Sequence, residues 1–84
     1  MIDDLRKQID GIDDKILGLL VDRFALVVQV GTEKKEAGIE VVDIDREDTL
    51  MNRLVDMAQE KNLSLDLVEK IYQLIIQESR RQQD

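Results

Sequence analysis

Residues 4–37 read DLRKQIDGIDDKILGLLVDRFALVVQVGTEKKEA, and this stretch decides the fold. One row of side chains spaced three or four residues apart runs through it: Leu5, Ile9, Ile12, Ile16, Leu19, Arg23, Val27, Val30 and Lys34. The spacing predicts a single long amphipathic helix, which no proline interrupts. At about 1.5 Å per residue this helix is roughly 50 Å long, whereas a compact monomer of this size has a radius of gyration near ~12 Å. The remaining residues are too few to cover the helix, so we expect a partner chain to cover the rest.

Arg23 and Lys34 stand in this row at positions where the pattern favours an apolar side chain. A cation that points into a core costs free energy unless it is paired. Two such cations on one face, three helical turns apart, indicate that an anion is held between helices.

Composition excludes several classes of function. The 84 residues predict one domain, 1–84, with a small core. The chain has no cysteine and no histidine, which excludes disulfides and thiolate metal sites and argues against Ser-His, Cys-His and His-ligated zinc chemistry. A net charge of −7 and only one Phe and one Tyr argue against nucleic-acid binding. No 18-residue apolar run or signal-peptide pattern occurs, so we expect no membrane association and a soluble, cytoplasmic protein.

Two further helices follow, so the predicted fold class is all-α with three helices. Residues suited to helix ends mark the boundaries: Asp3 or Asp4, Asp43 and Ser64 as N-caps, and Gly38 and Asn62 at C-terminal ends. Residues 39–42 are predicted to form a tight connection. Gly11, Gly18 and Gly31 lie inside the first helix, where we favour close helix packing as the explanation.

The inward faces of the second and third helices are apolar rows that turn polar at one end. The second row is Glu47, Leu50, Leu54 and Met57, with Met51 and Ala58 beside it. The third is Val68, Ile71, Tyr72, Ile75, Ile76, Ser79 and Gln83. All three helices therefore carry an apolar row that includes polar residues at a defined place.

Five polar residues enter predicted core rows, and two arginines lie beside them: Arg23, Lys34, Glu47, Ser79 and Gln83, with Arg6 and Arg46 adjacent. Singly, each is explained by a buried salt bridge or a solvated helix end. Together they are explained by one pocket for a small polar anion. This set has no nucleophile paired with a base. Its fixed positive charge and hydrogen-bond donors suit binding, or a reaction that needs only orientation and electrostatic stabilisation.

The order of these residues resembles that of the all-helical chorismate mutases. The resemblance rests on Leu5-Arg6, Ile12-Asp13, Leu20, Arg23, Val30-Gly31, Lys34, the run DIDRE at 43–47, the run YQLII at 72–76, Ser79 and Gln83. It spans essentially the whole chain and is most like the short bacterial form, found alone or as the first module of a bifunctional prephenate dehydratase. It implies an intertwined all-helical homodimer that rearranges chorismate to prephenate in phenylalanine and tyrosine biosynthesis. No cofactor, metal or covalent intermediate is implied.

The resemblance also implies which residues bind the substrate's carboxylates and which lie at the bond that breaks. Arg23 would bind one substrate carboxylate, and Arg6 from the partner chain would bind the other. Lys34 and Gln83 would flank the ether oxygen whose bond breaks.

Four other positions would complete the site. Glu47 would accept a hydrogen bond from the ring hydroxyl, assisted by the backbone of Asp43. Ser79 would contact a carboxylate, and Arg46 would support the site.

Arg80 and Arg81, just before Gln83, are more basic than the resemblance leads us to expect. We expect them to interact favourably with the C-terminal dipole of the third helix, or alternatively to attract the substrate.

Three alternatives remain open from the sequence. An isochorismate pyruvate lyase would share this architecture, although the run at 43–47 together with Gln83 favours the mutase. A non-catalytic dimerisation module would use the charges only to set helix register. A designed family member with little activity is compatible with the absence of Cys, His, Trp and Pro.

Overall fold

The computed structural model describes residues 1–40 and 43–83. Within these residues the regular structure is helical throughout, in three elements: α1 (Ile2–Ala37), α2 (Ile44–Glu60) and α3 (Leu65–Gln83). The prediction of an all-α chain with a long first helix is confirmed. The molecule is elongated, measuring 55 × 24 × 16 Å with a radius of gyration of 15.8 Å. Its length follows from α1, which extends beyond the part of the helix that the rest of the chain packs against.

The start of α1 differs from the prediction. The helix begins at Ile2 with Met1 as its N-cap, and the side chain of Met1 makes no capping hydrogen bond. The assignment of Asp3 or Asp4 as N-cap is therefore wrong. Both acids lie in the first helical turn instead, where the N-terminal dipole interacts favourably with their negative charge.

The end of α1 follows the prediction. Gly38 adopts a left-handed conformation with φ 71°, which costs a residue without Cβ little. Its amide bonds to the carbonyl of Lys35 at 3.2 Å, and the amide of Ile39 bonds to that of Lys34 at 2.8 Å. Val41 and Val42, the second half of the predicted tight connection, lie outside the described residues.

Helix α2 is capped as predicted and supplies the buried core. The carboxylate of Asp43 accepts a hydrogen bond from the amide of Arg46 at 3.0 Å. Leu50, Leu54 and Ala58 are the buried apolar side chains of the described residues. The predicted inward row is thus wrong at its last position, because Ala58 takes the core place assigned to Met57, which is 36% exposed.

Helix α3 joins the other two helices. Ser64 caps its start as predicted, accepting a hydrogen bond from the amide of Leu67 at 3.3 Å. Before it, Asn62 takes a positive φ of 57° where the chain leaves α2, a conformation that Asn adopts more readily than most residues. Helix α3 packs against α1 on one side and α2 on the other. Ile71, predicted to face inward, is 44% exposed in the chain.

The N-terminal half of α1 keeps its apolar row uncovered within the chain. The row comprises Leu5, Ile9, Ile12, Ile16 and Leu19, each between 51% and 67% exposed. Close packing explains Gly31, which touches α3. At Gly11 and Gly18, by contrast, an added Cβ would have no described atom within 4 Å apart from its chain neighbours and the nearby backbone of its own helix. Across residues 1–40 and 43–83, no helix combines the length and apolar character needed to cross a membrane. The cytoplasmic location remains a prediction.

Candidate active site

A pocket of about 300 Å³ lies where the C-terminal half of α1, the first turns of α2 and the last turns of α3 meet. Its wall is partly apolar and partly charged. The lining residues are Arg23, Leu26, Val27, Val30, Lys34, Asp43, Arg46, Glu47, Leu50, Ile76, Ser79, Arg80 and Gln83. Seven of the eight residues predicted for the site line it; Arg6 does not.

Arg23 crosses from α1 to α3 inside this pocket. Its Nη1 donates to the Ser79 hydroxyl at 3.1 Å, and that hydroxyl donates to the carbonyl of Ile75 at 2.7 Å. The guanidinium carbon also lies over the ring of Tyr72, 5.9 Å from its centre, within the range of a cation–π interaction. A planar cation held by two neighbours in this way presents its remaining donors in a fixed direction.

Gln83 closes the same side of the pocket at the end of α3. Its Nε2 donates to the carbonyl of Val27 at 3.5 Å, the outer limit for a hydrogen bond. Its backbone lies directly against Gly31, where a Cβ would approach the Cα of Gln83 to 3.2 Å. The missing side chain at Gly31 therefore allows the last turn of α3 to reach the pocket.

The start of α2 forms the opposite wall. Asp43 is held by the amide of Arg46, so the cap that begins the helix also fixes the position of Glu47 one residue later. The first turn of a helix favours negative charge because unpaired amides point toward its N-terminus. The structure thus places the carboxylate of Glu47 in the wall of the same pocket as Arg23 and Ser79.

Lys34 belongs to the α1 wall, one turn after Val30 and on the same face as Arg23 and Val27. Its side chain is half-buried, unlike that of its neighbour Lys35, which is exposed and does not line the pocket.

Arg80 is the charged lining residue that the sequence analysis did not assign to the site. Its Nη2 donates to both carboxylate oxygens of Glu47 at 2.6 Å each, and its Nε donates to Oε1 at 3.0 Å. The signal available in the sequence was its spacing, since Arg80 follows Tyr72 and Ile76 at intervals of four residues and so shares their face of the helix.

Arg81, by contrast, does not line the pocket and pairs within α3. Its Nε donates to the Oε2 of Glu78 at 2.9 Å, and its Nη2 contacts Oε1 of the same carboxylate. These bonds, with a further one from Gln82, lower the pKa of Glu78 from 4.5 to about 2. The pKa of Arg81 is raised by the same carboxylate.

The pocket concentrates positive charge in an acidic chain. Of the residues that the structure describes, four cations line it, Arg23, Lys34, Arg46 and Arg80, against two carboxylates, so this lining has a formal charge of +2 while the chain carries −7. Clustered cations in a cleft raise the local concentration of anions even when the net charge is negative. Among the described residues, no three Cys, His, Asp or Glu side chains converge as a metal site would require.

Arg6 lies outside this arrangement. It is exposed near the start of α1, 17 residues before Arg23. At ~1.5 Å per residue along one helix the two are about 25 Å apart, so Arg6 cannot reach the pocket of its own chain.

Known proteins and one protein family are similar to this chain over nearly its full length. Residues 5–84 match the family described as chorismate mutase type II. The bifunctional chorismate mutase/prephenate dehydratase of Escherichia coli (strain K12) is 39% identical over 75 residues, which cover 89% of this chain and 19% of that protein. The chorismate mutase of Methanocaldococcus jannaschii is 34% identical over 77 residues, covering 92% of this chain and 78% of that protein. The T-protein of Haemophilus influenzae is 32% identical over 76 residues, 90% of this chain and 20% of that protein. The chain thus spans about a fifth of the length of the longer relatives.

Proposed function

Because the chain belongs to the chorismate mutase type II family, we propose that it catalyses the rearrangement of chorismate to prephenate in phenylalanine and tyrosine biosynthesis. Family membership confirms the resemblance and supports an isomerase activity. The observation that carries the proposal is the convergence of seven predicted site residues from three helices on one pocket with four cations. A doubly carboxylated substrate of small size suits a pocket of that charge and volume.

The pocket would select a reactive conformer of the substrate. Arg23 would bind one carboxylate through the donors that Ser79 does not use, and its contacts with Ser79 and Tyr72 would restrict its direction. Holding both carboxylates in a fixed geometry brings the two carbons that form the new bond together, and orientation of this kind accounts for a large share of many rate enhancements.

The chemistry requires stabilisation of one developing charge. As the ether C–O bond breaks, negative charge grows on the enolpyruvyl oxygen. Lys34 and Gln83 would flank that oxygen, so that their donors interact more strongly with the transition state than with the ground state. The partly apolar wall strengthens these interactions by excluding water.

The opposite wall would recognise the ring. Glu47 would accept a hydrogen bond from the ring hydroxyl, assisted by the backbone of Asp43, while Arg46 supports this turn of α2.

We further propose that the active form is an intertwined homodimer. The apolar row of α1 from Leu5 to Leu19 is more than half exposed in one chain, and large contiguous apolar surfaces mark interaction sites in soluble proteins. A second copy would cover this row with its own. The same pairing would bring Arg6 of each chain to the pocket of the other, where it would bind the second carboxylate.

The activity is tested by following the loss of chorismate and identifying the product. Saturable conversion to prephenate, without release of pyruvate, is the expected result. Pyruvate release would indicate the lyase alternative, and the absence of any saturable loss would contradict the proposal in favour of a non-catalytic dimerisation module.

The shared site is tested by mixing two inactive variants, Arg6→Ala and Lys34→Ala. In a mixed dimer one site receives both defects and the other none, so refolding an equal mixture should restore roughly a quarter of the parent activity. The matched control mixes Arg23→Ala with Lys34→Ala, whose positions line one chain's pocket. Each site of that mixed dimer keeps one defect, so no recovery is expected. A mass consistent with a monomer, or no recovery in the first mixture, would contradict the dimer.

A further inference from the structure

The ion pair between Arg80 and Glu47 joins α3 to α2 in the wall of the pocket. Three hydrogen bonds connect the two side chains, and Nη2 of Arg80 touches both oxygens of the carboxylate at 2.6 Å. Arginine forks of this type are stronger and more directional than single contacts, because donor and acceptor are both charged. Glu47 is 27% exposed and Arg80 48% exposed, so the pair lies at the boundary between pocket and solvent.

Neighbouring ion pairs of α3 are of a different kind. Lys70 pairs with Asp66, and Arg81 with Glu78, across three or four residues of the same helix. Such pairs follow from local spacing. The pair of Arg80 and Glu47 spans 33 residues and forms only because the two helices pack together. The Arg80–Glu47 ion pair therefore depends on how α2 and α3 are placed around the pocket.

Charge gives the pair a second effect. Among the described residues, Glu47 and Asp43 supply the carboxylates of the pocket wall, and Asp43 is bound by the amide of Arg46. A carboxylate beside a bound dicarboxylate repels it, and this repulsion is strong where water is partly excluded. Arg80 balances the charge of Glu47 at contact distance.

We propose that Arg80 is a positioning residue for Glu47: its guanidinium fixes the direction of the carboxylate and balances its charge. Glu47 can then accept a hydrogen bond from the substrate's ring hydroxyl without repelling the substrate's carboxylates. The role given to Glu47 rests on the proposed function. The ion pair between Arg80 and Glu47 does not depend on that function.

The first test compares Arg80→Ala with its matched control Arg81→Ala, which removes a neighbouring arginine that pairs outside the pocket. Arg80→Ala should lower kcat/KM about tenfold, mainly through a higher KM, because substrate then meets an unbalanced, mobile carboxylate. Arg81→Ala should leave both constants near the parent values. Arg80→Lys keeps the charge but loses the fork, so it should recover only part of the loss. Equal effects of Arg80→Ala and Arg81→Ala, or full recovery in Arg80→Lys, would overturn the proposal.

A double-mutant cycle separates positioning from direct binding of substrate by Arg80. The probe is a bicyclic dicarboxylate that mimics the transition state, with its Kd measured by calorimetry. Arg80→Ala should weaken binding about tenfold in the parent chain and less than twofold in the Glu47→Ala background, because Arg80 acts through Glu47. An undiminished effect in that background would mean that Arg80 contacts the ligand itself and would overturn the proposal. Circular dichroism and mass measurement of each variant exclude misfolding as the cause.

A structural measurement judges the contact independently of activity. In NMR spectra of the full chain, the Nε–H of Arg80 should be protected from exchange, and this protection should be lost in Glu47→Ala. An unprotected Arg80 in the parent chain overturns the proposal even if chorismate is converted. A protected Arg80 in a chain that neither converts chorismate nor binds the dicarboxylate would overturn the proposed function and the role of Glu47 in it, leaving only the contact.

Discussion

Gly31 of α1 and Gln83 of α3 are in direct contact, so that a Cβ added at Gly31 would lie 3.1 Å from Cγ of Gln83 and 3.2 Å from its Cα and Cβ. Two of these atoms belong to the rigid part of the residue, and so relief requires the last turn of α3 to move. The position of Gln83 in the pocket therefore depends on the absence of a side chain one turn before Lys34.

Gly31→Ala is expected to reduce kcat/KM about tenfold, because a displacement of a few tenths of an ångström misplaces a group that acts on the reacting bond. Steady-state kinetics measure the expected loss of kcat/KM. Circular dichroism measures the helical content, which should not change. Gly18→Ala is the matched control, since the added methyl group would meet no described residue within 4 Å outside its own stretch of helix, and it faces away from the apolar row. An equal loss of kcat/KM in both variants would mean that the change acts through α1 itself and not through the position of Gln83.

Lys34→Ala is expected to lower kcat by roughly 10²–10³, the usual consequence of removing one donor to a developing oxyanion. The helical content and the mass of the assembly should not change. Lys35→Ala is the matched control, because it removes the neighbouring exposed lysine, which does not line the pocket. Turnover of Lys34→Ala at the parent rate would contradict the proposed mechanism.

Ser79→Ala is expected to raise KM several-fold with a smaller change in kcat, because it removes a hydrogen bond of about 1 kcal/mol that directs Arg23. Ser64→Ala provides the comparison: it removes the N-cap of the same helix, should cost ~1 kcal/mol of unfolding free energy, and should leave KM unchanged. Kinetics and thermal unfolding of both variants distinguish the two roles. A raised KM in Ser64→Ala would mean that α3 stability, not Arg23, determines substrate affinity.

The carboxylate of Glu78 should titrate near pH 2 in the folded chain, because hydrogen bonds from Arg81 and then Gln82 lower its pKa from 4.5 to about 2. The stabilisation is therefore present above pH 4.5 and is lost as the pH falls toward 2. It is small, since the pair is exposed to solvent. NMR titration of the side-chain carbon measures the pKa directly. Arg81→Gln should raise the pKa more than Gln82→Ala does, and a parent value near 4.5 would contradict the pairing.

Local chemistry made most helix ends predictable. Asp43 and Ser64 cap their helices, and Gly38 ends α1, because each position calls for a side chain or backbone conformation that few residues provide. The start of α1 was not predictable in this way, since the helix begins at Ile2 and its N-cap, Met1, makes no side-chain capping bond. Asp3 and Asp4 lie in the first turn instead, where their negative charge also interacts favourably with the positive end of the helix dipole.

The spacing of apolar residues did not determine which side chain of α2 is buried at the end of its inward row; the packing of the helices does. Met57 and Ala58 are adjacent on α2, and a row spaced by three or four residues accommodates either. Ala58 is the buried one, which places a small residue where α2 and α3 meet. The partner of Arg80 was beyond sequence reasoning for a related reason: Glu47 lies 33 residues away, and the pair depends on how the helices pack. The family resemblance predicted seven of the other pocket residues, because the order of these polar residues along the chain is itself specific.

The contact between Arg23 and Tyr72 gives the molecule an optical reporter of its own. Tyr72 is the chain's one tyrosine, and the sequence has no tryptophan to mask its emission. Its ring centre lies 5.9 Å from the guanidinium that lines the pocket. Fluorescence excited in the near ultraviolet therefore comes from a residue in contact with the proposed carboxylate-binding group, without any added dye or label.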